Sequence, residues 1–115
     1  MSKRNQNFDM YIGESKVVFI ALTNADGTPF NPAGATMEWW LSRTVHSEKT
    51  IRKTLSSGLA ISPGGVNIIL ESEDTYDLKP EIWYHELKIT MPSGLSVATV
   101  GAVHLRPALD MRVTP

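Results

Sequence analysis

Turn signals recur along this chain at intervals too short for a helical domain. Gly13, "ADGTP" (25–29), "NPAG" (31–34), "SSG" (56–58), "SPGG" (62–65), "LKP" (78–80) and "MPSG" (91–94) punctuate it from end to end. Glycine supplies left-handed backbone and proline fixes φ, so each cluster bends or stops the chain. The segments between them are rich in Val, Ile, Trp, Tyr and Thr. Short β-prone segments between closely spaced turns point to an all-β sandwich or barrel.

Strands are expected over about 7–12, 16–23, 35–43, 50–55, 59–62, 65–71, 81–90 and 95–107. The stretch "KVVFIAL" (16–22) is apolar at successive positions, which suits a central strand covered on both faces. "TIRKTL" (50–55) is polar and reads as an edge strand. "SEDTYDLKP" (72–80) breaks the pattern. Ser72 is placed to cap a short helical turn, with Glu73 and Asp74 near its positive end, Leu78 packing down and Pro80 stopping it.

Side chains alternate across a strand, so the faces follow. Met37, Trp39 and Leu41 share the core face of one strand, which turns Trp40 outward. Val66, Ile68 and Leu70 face in and Ile69 faces out. Trp83, His85, Leu87 and Ile89 oppose Tyr84 and Glu86. Val103 joins the inward set of the last strand, opposite Val100 and His104. The expected core is therefore Trp39, Trp83, Met37, Leu41, Val66, Ile68, Leu70, Leu87, Ile89 and Val103. Trp40, Ile69 and Tyr84 are left as candidates for a contact surface, since clustered exposed apolar groups mark such surfaces.

One domain is expected over the 115 residues, with its core at about 11–107. Residues 1–6 and 107–115 lack strong periodicity and read as docking arms, where Leu109, Met111 and Val113 alternate with polar partners as in a strand added to a neighbour's sheet. The formal net charge of −1 argues against nucleic acid as a partner. The densest basic cluster, "KTIRKT" (49–54), reads as a solvated strand face. No apolar run approaches the roughly 18 residues of a membrane span. "MSKRNQNFDM" has no apolar stretch after it, so no secretory leader is expected. The chain has no cysteine, which removes disulfides and thiolate chemistry.

No catalytic set emerges. His46, His85 and His104 do not stand at ligand spacing with one another or with a carboxylate. His85 reads as a core-edge histidine bonded to a backbone group. Glu71, Glu73, Asp74 and Asp77 lack the spacing of a calcium loop, and helix capping accounts for Glu73 and Asp74. Ser56, Ser57 and Ser62 lie in loops without a nucleophile elbow, and "SPGG" lacks the lysine of a phosphate loop. Neither an enzyme nor a cofactor is expected.

The order of these features resembles the small immunoglobulin-like modules of tailed-bacteriophage virion proteins. The elements that carry the likeness are Gly13-Glu14, the Asp26–Pro29 turn, Gly34–Thr36 opening a strand, the Gly65–Leu70 strand, the Asp74–Leu78 helical turn, the aromatic Trp83–Thr90 strand ending "ELKIT", and the Val-rich 97–107 strand closing in Arg-Pro. The likeness covers about residues 11–107 and rests on turn chemistry and alternation, which specify a fold better than a role. It implies an immunoglobulin-like antiparallel β-sandwich with one short helical turn. It also implies a virion structural protein, made in the host cytoplasm, that docks on capsid or on tail or baseplate subunits and is homo-oligomeric in the assembly. The alternative is a receptor- or glycan-binding surface module. Adjacent Trp39 and Trp40, and the lack of a second domain, depart from many such modules and favour decoration or joining over a receptor-binding head.

Overall fold

The computed structural model describes residues 6–23, 27–28, 30–32, 34–44, 49–94 and 96–107. Leu109, Met111 and Val113 lie outside them. The described residues are all-β apart from one helical turn. In order the elements are β1 (Phe8–Tyr11), β2 (Lys16–Ala21), β3 (Thr36–Ser42), β4 (Lys49–Leu55), β5 (Gly58–Ser62), β6 (Gly65–Leu70), α1 (Ser72–Thr75), β7 (Ile82–Thr90) and β8 (Ser96–Arg106).

The strands form one 8-stranded sheet in the order β1-β8-β7-β3-β4-β5-β6-β2. The β1–β8 and β4–β5 ladders are parallel and the others antiparallel. The sheet curls on itself. Ile20 of β2, Leu59 of β5 and Ile68 of β6 share one core with Trp39 of β3, Leu87 and Ile89 of β7 and Val103 of β8. Only a sheet folded over its own inner face brings these strands together. The bend falls at the β4–β5 junction, where the two strands share only the Thr54–Gly58 and Leu55–Leu59 pairs. There Ser56 takes a left-handed φ of 69°, at a cost of roughly 1 kcal/mol for an L-residue.

All ten expected core side chains are buried, from Trp39 at 0% exposure to Trp83 at 6%. Trp83 also settles its polar end, donating Nε1–H to the Lys79 carbonyl at 3.0 Å. Arg43 sits 5.9 Å from its ring centroid, near enough for a cation–π contact.

Several expectations are corrected. β2 is an edge strand, although its residues suit burial on both faces; among the described residues it pairs only with β6. β4 lies between β3 and β5, so it is not the sheet's edge. Among the described residues its Lys49–Lys53 stretch still has no partner on the β5 side, and a polar sequence suffices there. Glu71, not Ser72, occupies the cap of α1, and Asp74 Oδ2 accepts from the Glu71 amide at 2.7 Å. Lys53 Nζ contacts the same carboxylate at 2.7 Å, so Asp74 ties β4 to the helix start. Gln6 is not part of a loose arm. Its amide donates to the Val100 carbonyl at 2.9 Å, because the chain entering β1 already runs beside β8.

Candidate functional site: a groove on the outer face of β3, β7 and β8

Residues of β3, β7 and β8 line up in cross-strand rows. Trp40 stands opposite Glu86, and Glu86 opposite Val100. In the next row Ser42 stands opposite Tyr84, and Tyr84 opposite Ala102. Side chains directly opposite on antiparallel strands lie about 4.5–5.5 Å apart at Cβ, so each row is one contact surface. These positions all point away from the core, since their neighbours Trp39, Leu41, His85 and Leu87 point into it.

The face is concave. Small residues on β8, Gly101 and Ala102, floor a groove of about 360 Å³. Trp40, Tyr84 and Val100 form its apolar walls, and Asn7, Ser42 and Glu86 add polar groups. Trp40 is half-buried, Tyr84 is 37% exposed and Val100 is 49% exposed. Asn7 closes one end: its Oδ1 accepts from the Ala102 amide at 2.8 Å. Ser42 is turned away to its own chain, donating to the Thr44 carbonyl at 2.7 Å. Among the described residues Glu86 has no ion pair or hydrogen-bonded side-chain partner.

Beneath the groove His85 fastens the N-terminal segment to the core. The Trp39 indole N–H, which can only donate, points at His85 Nδ1 at 2.9 Å. Nδ1 is therefore the acceptor, and the ring proton sits on Nε2, from which it is donated to the Gln6 carbonyl at 2.5 Å. Burial pushes the His85 pKa below the ordinary imidazole value, and the bond to Gln6 partly opposes that shift. Phe8 packs edge-on against the ring at 5.1 Å between centroids. Gly101 makes this approach possible: a Cβ there would strike the Gln6 carbonyl oxygen and stand 2.8 Å from His85 Nε2.

Both nitrogens of His85 are thus engaged, and the ring is 2% exposed. It offers no free base to solvent. Among the described residues no three His, Asp or Glu side chains converge where an ion could be held, and no helix is long and apolar enough to cross a membrane. The groove offers apolar contact area and, among the described residues, the unengaged carboxylate of Glu86.

The structure joins Trp40 and Tyr84 in this one site and separates them from Ile69. Ile69 lies on the outer face of the other half of the sheet, opposite Val17. Val100 and Asn7 were missed from sequence. Val100 could have been found from its outward parity on the last strand; Asn7 could not, because nothing local says that the chain before β1 runs along β8. No family model matches the chain, and no curated protein matches its sequence.

Proposed function

We propose that this protein is a non-enzymatic virion structural protein with an immunoglobulin-like fold, docking on capsid, tail or baseplate subunits through the Trp40 groove. The observation that carries the docking reading is the gathering of Trp40, Tyr84 and Val100, all partly solvent-exposed, around one concavity. Tryptophan and tyrosine dominate the energetics of contact surfaces, and well-packed pockets are where they act. The strand order supports the fold. With β2, β3, β4, β5, β6, β7 and β8 read as strands B, C, C′, D, E, F and G, the order β8-β7-β3-β4 followed by β5-β6-β2 is the G-F-C-C′ and D-E-B arrangement of variable-type immunoglobulin domains. The virion assignment rests on the order of turns and strands in the sequence.

A second reading is favoured by the concavity itself. A glycan-binding module wants an aromatic platform in a concave site with converging hydrogen-bonding groups. The platform is present. The polar groups weigh against it in part: Asn7 Oδ1 and Ser42 Oγ–H are committed to the chain's own backbone, leaving the Glu86 carboxylate and the Tyr84 hydroxyl.

The test is binding of the full chain to separately purified structural subunits encoded beside it, with Trp40→Ala and Tyr84→Ala alongside wild type. Docking predicts capture of a subunit by wild type, loss with Trp40→Ala, and an unchanged melting temperature. Truncating an interface hot spot loses about 2 kcal/mol or more, roughly thirtyfold in affinity. Retained capture by a folded Trp40→Ala protein defeats the reading, and Trp40-dependent binding of glycans without subunit capture establishes the rival.

A further inference from the structure

β2 carries a mismatch between what its sequence suits and where the fold puts it. Val18 and Ile20 point toward the core, while Val17 and Phe19 point out at 60% and 48% exposure. Apolar residues on both faces belong to strands that are covered on both faces and paired on both edges. Here one edge is bare: β2 forms a ladder with β6 and with no other strand among the described residues. Among the described residues the chain meets that side only beyond the strand's end, where Phe30 donates to the Leu22 carbonyl at 3.2 Å.

Edge strands in soluble proteins are ordinarily blunted by proline, a bulge, an inward-pointing charge or shortness. β2 has neither proline nor bulge, and its one charge of inward parity, Lys16, stands at its first residue, so residues 17–21 carry none of these. Its register with β6 runs unbroken from Lys16–Leu70 to Ala21–Gly65, and its single charge, Lys16, stands at one end. We propose that β2 is the edge through which a second copy of this chain pairs, antiparallel, to continue the sheet.

The strand is its own complement. In a pairing centred on Val18, each Val17 stands opposite the Phe19 of the other copy, and each Lys16 opposite an Ile20. The two lysines fall at opposite ends of the ladder, so no like charges meet. The net charge of −1 adds little long-range repulsion. The outward side chains Val17 and Phe19, with Ile69 beside Val17, then form one apolar strip across the junction. This gives the expected contact residue Ile69 a place away from the groove. The inference stands independently of how the groove is used.

Analytical ultracentrifugation of the full chain over a wide concentration range tests it, with Phe19→Lys and Trp40→Ala alongside wild type. Wild type should dimerise reversibly, Phe19→Lys should weaken association at least tenfold, and Trp40→Ala should leave it unchanged. Amide hydrogen exchange supplies a second reading that needs no variant. The β2 amides pointing away from β6 should be protected in proportion to dimer. A wild type that is monomeric throughout overturns the proposal while leaving docking at the groove untouched. So does unprotected exchange in the dimer, or a dimer lost with Trp40→Ala and kept with Phe19→Lys.

Discussion

Acidification should loosen this domain at one identifiable place. His85 accepts from the Trp39 indole at Nδ1 and donates to the Gln6 carbonyl at Nε2, so the neutral ring satisfies both partners. Adding a proton puts an N–H on Nδ1, facing the indole N–H. One buried hydrogen bond becomes a donor–donor conflict, and a charge is left where little water reaches it. The groups packed on the ring are Trp39 from β3, Phe8 and the Gln6 carbonyl from the β1 side, and Gly101 from β8; none of them carries a compensating charge. The sign follows. The folded-state pKa lies below 6.5, so the unfolded chain takes up the proton first as pH falls. The stability that neutral His85 contributes is complete above pH 6.5 and is lost as pH falls toward the folded-state pKa. The loss is at most about 1.4 kcal/mol per pH unit and levels off below that pKa. Set against a typical domain stability of about 5–15 kcal/mol, a loss along that slope is measurable. Urea unfolding from pH 7.5 to 5 measures it, with His85→Gln as the non-titrating control. The variant should be less stable at pH 7.5 by about 1–3 kcal/mol, because its amide cannot hold both partners in place, and its slope with pH should be shallower. Exchange of the Gln6 amide, which donates to Val100, should quicken at low pH in wild type. Identical pH slopes for wild type and His85→Gln would falsify the argument.

Two further predictions concern stability. Trp39→Ala and Trp83→Ala should each lose about 3–5 kcal/mol in chemical denaturation, the usual range for deleting a buried aromatic; two variants that melt like wild type would mean that the inward faces are misassigned. Gly101→Ala should destabilise by about 1–3 kcal/mol, since the added methyl meets the Gln6 carbonyl and His85 together, and it should speed exchange at Gln6; a neutral substitution would show that the segment before β1 does not lie where the structure puts it.

Local sequence determined most of the strands and their faces. Alternation has a period of two whatever the neighbours are, so Met37, Trp39 and Leu41, or Trp83, Leu87 and Ile89, declare an inward face without any knowledge of the fold. The same parity put Trp40 and Tyr84 outside. The turn at Met91–Gly94 was legible because its chemistry is local: Gly94 takes a φ of 93° and donates to the Met91 carbonyl at 2.8 Å. Which strands stand side by side was decided only by the tertiary structure. Hydrophobic pattern reports that a residue is covered, not what covers it. That is why "KVVFIA" read as central yet stands at an edge, and why Ile69 could not be separated from Trp40 before the sheet order was known. The groove depends on the same non-local fact. It exists because β1 runs parallel beside β8 and brings Asn7 to Ala102, 95 residues away along the chain. No window of sequence carries that pairing, since its warrant is a glycine at 101, a histidine at 85 and a carbonyl at 6 meeting in space.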